Sequence, residues 1–162
     1  MLNTILILAI LMVAVVLLSA ATRPDTFQIK RSVKIAAPPD KIFPLINDFH
    51  NWQAWSPWEQ KDPAMKKTHS GAAQGKGALL EWDGNKDVGT GRMEALESIP
   101  SSKIVIKLDF LKPFEAHNTA EFTLSGAGNV TDVSWAMYGP QPYMMKVYGA
   151  AVQHGQDGRK RL

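Results

Sequence analysis

The opening of the chain limits it more than any other feature. Residues Leu2 to Ala21 read LNTILILAILMVAVVLLSAA, and every residue from Ile5 to Leu18 is apolar. No charged side chain follows until Arg23. About 20 apolar residues coiled as a helix match the hydrocarbon thickness of a bilayer. A helix on the surface of a soluble domain needs only one apolar face. Residues 1–21 are therefore read as a membrane anchor, with a secretory signal cut after Ser19-Ala20-Ala21 as the alternative. A signal would open on Lys or Arg, and this segment has neither. Its nearest basic residues, Arg23, Lys30 and Arg31, come after it. By the positive-inside rule they favour a single-pass membrane protein with its domain on the cytoplasmic side.

Of 162 residues, about 140 then remain, which is one domain. A domain of that size buries a core without covalent staples. The chain has no cysteine, which excludes disulfides, thiolate metal sites and a cysteine nucleophile. The formal net charge is +3, and Lys146, Arg159, Lys160 and Arg161 lie close to the C-terminus. The body is therefore near neutral, with no basic stripe interleaved with aromatics, and no nucleic-acid partner is expected. His50, His69, His117 and His154 lack ligand spacing, so no metal is expected. No Gly-rich phosphate loop and no nucleophile elbow is present, so no cofactor or catalytic triad is assigned.

Between Phe27 and Ile35 apolar residues alternate with polar ones, with Phe27, Ile29, Val33 and Ile35 on one face of a half-buried strand. Ala36-Ala37-Pro38-Pro39 ends it and opens a helix, where proline is tolerated. Ile42, Leu45, Ile46 and Phe49 form an apolar helical stripe, which Pro44 should kink or shorten. Asp48 is placed to cap a second short helix through Asn51 and Trp52. Six strands are expected after that, over 65–70, 77–83, 88–98, 103–110, 114–125 and 130–138, separated by Gly, Pro, Asn and Asp turns. Tyr143 to Val147 begins another helix. The fold class is α+β: a curved antiparallel sheet with helices on one face, which must bury something between its layers.

The run RSVKIAAPPDKIFPLINDFHNWQAWSPWE, residues 31–59, resembles the opening of the polyketide cyclase/dehydrase branch of the START-like, helix-grip (SRPBCC) superfamily. GKGALLEWDGN, VGTGRMEALES, KIVIKLDFLKPFEAHNTAEFTL and VTDVSWAMYGP are similar to its strand segments. The resemblance covers about residues 23–148, and 22–148 is read as a single domain. It implies about seven strands, two short helices and a long C-terminal helix closing a cavity. Residues 149–162 depart from it: AAVQHGQDGRKRL has no apolar stripe and two glycines. The closing helix is therefore expected to be missing, and a shifted reading frame is the expected origin of the tail.

Large apolar rings suit a pocket wall. Trp55, Trp58, Leu80, Trp82, Trp135 and Met137 are the expected ligand-binding residues, while Trp52 is expected to pack the short helices onto the sheet. Ala78, Leu80 and Trp82 share a strand face, as do Val133, Trp135 and Met137. His117 shares a face with Glu115, Thr119 and Glu121, opposite Ala116, Asn118, Ala120 and Phe122. It is read as lying on a solvated outer face, and Arg92 with Glu94 and Lys107 with Asp109 as exposed ion pairs. No catalytic residue is assigned. The expected function is membrane-tethered binding of an apolar small molecule or lipid, in a pocket formed without a cofactor. The alternatives are a cyclase- or dehydrase-like enzyme and an interaction module of the chaperone-activator type.

Overall fold

The computed structural model describes residues 2–143 and 146–147. The chain forms two compact units, one from residues 1–27 with 140–162 and one from Gln28–Gly139.

In the first unit, α1 (Leu2–Ala21) is a continuous helix. Its Thr4–Ala21 stretch is long and apolar enough, by length and composition, to cross a membrane. Apolar side chains stand exposed around it, with Ile5, Met12 and Leu18 each more than half accessible. Beyond the helix, the Gln141 amide donates to the Asp25 carbonyl at 2.7 Å. The buried Lys146 ammonium meets the Asp25 carboxylate and the Arg23 carbonyl.

The second unit holds a seven-stranded sheet ordered β1-β7-β6-β5-β4-β3-β2. The strands are β1 (Thr26–Ile35), β2 (Lys66–Gly71), β3 (Ala78–Asp83), β4 (Thr90–Ile99), β5 (Lys103–Lys112), β6 (Ala116–Ala127) and β7 (Val130–Pro140). From β2 to β7, neighbours in sequence are neighbours in space and pair antiparallel. Their alternation is clear in β5, where Ile104 and Ile106 are buried while Lys107 is exposed. The six strands expected after the helices all form, with bounds that shift by no more than two residues.

Three short helical segments precede β2, rather than the two expected: α2 (Pro39–Asn47), a 3₁₀ helix (Phe49–Ala54) and α3 (Pro57–Lys61). Pro57 opens the third one, because proline's fixed φ suits a first helical position. Asp48 does cap the 3₁₀ helix, its carboxylate accepting from the His50 amide at 2.9 Å. The buried face of α2 is Ile42, Phe43, Ile46 and Asn47. Leu45 falls off that face and is exposed, contrary to the stripe read from the sequence. Strand β1 is also more exposed than expected, with Ile29 and Val33 open to solvent. It is an edge strand paired on one side only. The expected loss of the closing helix concerns residues 149–162, which lie outside the described residues.

The core joins α2 and the 3₁₀ helix to the middle strands, with Ile104 and Ile106 almost wholly buried. Ile104→Ala should cost about 2–5 kcal/mol, the usual range for emptying a buried aliphatic site. A urea titration checks it through a lowered midpoint with an unchanged slope.

Candidate functional site

Two of the three tryptophans after α2, Trp52 and Trp55, are placed by the way that helix ends. The last four carbonyls of an α-helix have no partner within it. Here all four are satisfied. The Pro44 carbonyl accepts from the Asp48 amide at 3.2 Å and from Asn51 Nδ2 at 3.1 Å. The Leu45 carbonyl accepts from Trp55 Nε1 at 2.8 Å, and the Ile46 carbonyl from Trp52 Nε1 at 2.9 Å. The Asn47 carbonyl accepts from the Gly75 amide at 3.0 Å. A 3₁₀ helix repeats every three residues. Residues 52 and 55 therefore lie one above the other, and their ring centroids are 4.9 Å apart. Both rings meet Phe122 edge-on, at 6.2 and 6.1 Å.

Those rings form one wall of a cavity of about 500 Å³. Its floor is the inner face of the sheet: Leu80 and Trp82 on β3, Met93 on β4, Ile106, Leu108 and Phe110 on β5, Ala120 and Phe122 on β6, Trp135 and Met137 on β7. Trp58 and Met65 complete the side. Trp82 lies flat because of its neighbour. A Cβ at Gly91, its cross-strand partner, would fall 2.4 Å from Trp82 Cζ2. Only glycine lets that ring settle across β4 and meet Phe110 edge-on at 5.9 Å. Glu59 is the one ionisable side chain among the described residues lining the cavity, and it is paired with Lys67 at 2.6 Å.

All six residues expected in a binding wall, Trp55, Trp58, Leu80, Trp82, Trp135 and Met137, line this cavity. So does Trp52, which was expected only to pack. The indole N–H groups of Trp52 and Trp55 donate to α2 carbonyls and are not free to orient a polar group in the cavity. The contributions of β5 and β6 were missed, although the alternation opposite His117 already set Ala120 and Phe122 on the inner face.

A second, smaller cleft of about 170 Å³ lies beside His50 and His69, whose rings stack at 3.9 Å. Burial, then the neighbouring His50 and Lys67 charges, holds the His69 pKa below its ordinary value. The cleft is small for an organic ligand, since such pockets usually exceed about 300 Å³. Among the described residues no cluster of three or more His, Cys, Asp or Glu side chains is placed to hold a metal ion.

His117 stands on the outer face, as the alternation indicated, away from the cavity-lining Ala120 and Phe122. Its Nδ1 meets Asp109 at 2.8 Å and its Nε2 meets Glu115 at 3.1 Å. Arg92 approaches Asp109 to 3.8 Å and Lys107 to 3.0 Å. These neighbours cover the Asp109 carboxylate, which is buried rather than exposed. The Asp109 hydrogen bond raises the His117 pKa above the ordinary imidazole value. Burial alone would push the Asp109 carboxyl up, but hydrogen bonds from His117 and Lys107 outweigh it and hold the carboxyl below its usual range. The raised His117 stabilises the fold at low pH, and that contribution fades as pH rises through its folded-state pKa. The depressed Asp109 contributes at neutral pH, and its share is lost as pH falls through its lowered value. An NMR titration of His117 should give a midpoint above about 6.5. Asp109→Asn should bring it down, and a midpoint unmoved by that change would contradict the pairing.

The sequence of residues 26–157 matches a family model described as polyketide cyclase / dehydrase and lipid transport. Solved structures share the fold. Protein MLL2253 from Mesorhizobium loti is 17% identical, with a TM-score of 0.56 over 80% of this chain and 89% of that one. Ginseng major latex-like protein 151 from Panax ginseng is 12% identical, with a TM-score of 0.51 over 81% of this chain and 98% of that one. The di-domain ARO/CYC BexL from the BE-7585A biosynthetic pathway is 14% identical, with a TM-score of 0.58 over 87% of this chain and 49% of that one. No curated protein matches the sequence.

Proposed function

This chain belongs to the polyketide cyclase / dehydrase and lipid transport family, a branch of the START-like superfamily, and we propose that its domain binds one apolar small molecule or lipid in the large cavity. The carrying observation is a cavity of about 500 Å³ whose lining is almost entirely apolar. That volume falls within the usual range for organic ligands, about 300–1,000 Å³. Each apolar group that a guest removes from water contributes roughly 25 cal/mol per Å². The walls offer little hydrogen bonding in return, since two of the indole N–H groups are occupied by α2. The bound part of the guest is therefore hydrocarbon or aromatic ring.

Residues 1–21 are proposed to anchor the domain to a membrane, where such guests concentrate. The length and apolarity of α1 support that reading. The basic residues Arg23, Lys30 and Arg31 favour the cytoplasmic side.

One observation favours a second reading, a cyclase- or dehydrase-like enzyme. Glu59 reaches the cavity lining and is held by Lys67, so it is the group placed to move a proton in such chemistry. Glu59→Gln separates the two readings. A binder retains its guest after that change, whereas an enzyme loses turnover.

Filling the cavity tests the binding claim. Ala120 lies on β6 between Ile106 of β5 and Met137 of β7, with its methyl facing the hollow. The full chain in lipid nanodiscs would be photolabelled with a diazirine-bearing fatty acyl probe and its adducts mapped by peptide. Ala120→Phe should lower adducts on β5 and β6 by at least tenfold, leaving those on α1 unchanged. Equal labelling of the strands in both proteins would sink the proposal.

A further inference from the structure

Among the described residues, one end of the sheet carries exposed apolar side chains. Phe114, in the turn between β5 and β6, is 83% exposed, the most of any large hydrophobic side chain among the described residues. A single exposed apolar residue means little by itself. Its surroundings give it meaning.

Leu111, beside it, is about half exposed. The β3–β4 turn packs against this hairpin so closely that a Cβ on Gly89 would fall 2.2 Å from the Lys112 carbonyl oxygen. On its other side the same turn is tied to α3. The Asn85 amide donates to the Asp62 carboxylate at 2.7 Å, and Asn85 Nδ2 donates to the Lys61 carbonyl at 3.3 Å. From α3 the half-exposed Trp58 ring stands out, with Lys61 Nζ 4.5 Å from its centroid. Trp58, Leu111 and Phe114 thus stand exposed at the same end of the sheet, which forms a lip. Trp58 also lines the cavity, as do Val88 and Phe110. The lip therefore includes and adjoins residues that line the hollow.

The chain enters the sheet at this same end. The Ser32 and Ser134 hydroxyls meet at 2.5 Å, and Thr131 Oγ1 donates to the Ala37 carbonyl at 2.7 Å, so β1 runs antiparallel to β7. Tyr138 of β7 faces Thr119 of β6, which puts Gln28 at the end that carries the β5–β6 turn. Only residues 22–27 separate Gln28 from the end of α1. Fully extended, that link spans at most about 25 Å. From β1 to β6 is two strand steps, roughly 10 Å.

We propose that this lip rests in the interface of the bilayer, with Phe114, Leu111 and Trp58 at the boundary between head groups and acyl chains and the cavity opening toward lipid. The proposal rests on reading α1 as a membrane anchor. Lys61, Lys86 and Lys112 at this end are offset by Asp83, Asp87 and Glu115. Apolar insertion therefore drives the contact, and zwitterionic lipid suffices.

The chain contains no cysteine, so single-cysteine labelling is clean. The full chain would be reconstituted in phosphatidylcholine vesicles, labelled with bimane, and quenched by nitroxide on the lipid acyl chains. Lys112→Cys reports on the lip, Ser102→Cys on the opposite end of the sheet, and Ile10→Cys on the anchor. Quenching at Lys112→Cys is expected to exceed that at Ser102→Cys at least twofold, and adding Phe114→Asp should remove at least half of it. Equal quenching at positions 112 and 102, or no effect of Phe114→Asp, overturns the proposal. Quenching at 112 with none at Ile10→Cys upholds the lip and rejects the anchor, so the two failures read differently.

Discussion

Two indole N–H groups hold the wall of this cavity in place. Helix α2 ends with carbonyls that need donors, and Trp52 and Trp55 supply two of them. Leaving such a group buried and unpaired costs about 1–3 kcal/mol. Each ring is therefore fixed at its polar edge, and neither swings inward to fill the space beside it. The third restraint lies across the hollow, where Gly91 lets Trp82 lie flat along the sheet. Large side chains pinned as walls and floor, with the small Ala120 between them, leave a volume that the chain does not fill.

This explains why a domain of ordinary composition carries a void where others have only core. Protein interiors normally pack to crystal-like density, and an unfilled apolar space costs stability through lost contacts. Here the deep core around Ile104 and Ala95 is closed, while the space between the tryptophans and the strands stays open. The two regions share one sheet face, so the hollow is bordered by a packed core. The opposite face spends its charge differently. Arg92, Lys107 and His117 converge on Asp109 and cover it, a structural ion cluster remote from the hollow.

Much of this was legible in the sequence. Period-two alternation placed the strands, and Trp55, Trp58, Leu80, Trp82, Trp135 and Met137 all fall on the cavity lining, because inward-facing side chains have one face to occupy. The WxxWxxW spacing was visible, but its cause was not. Its first step, from Trp52 to Trp55, reflects a 3₁₀ turn that carries two indoles back to carbonyls on the preceding helix, a contact made through backbone atoms that no side-chain pattern announces. Leu45 was misplaced for a related reason. The buried face of α2 is centred on Phe43 and Ile46, and a stripe counted from apolar residues alone could not distinguish that face from its neighbour. The burial of Asp109 was also hidden, since it arises from cross-strand partners on β4 and β6 that only the register brings together.

The central claim is that the hollow holds a guest rather than standing as a packing defect. Native mass spectrometry of the full chain, purified without added ligand, tests this most directly. The account predicts a second population heavier by one apolar molecule per chain, which collapses to the bare mass on collisional activation. A chain that flies bare under conditions gentle enough to preserve other apolar complexes, and that stays bare after incubation with lipid extract, would contradict it.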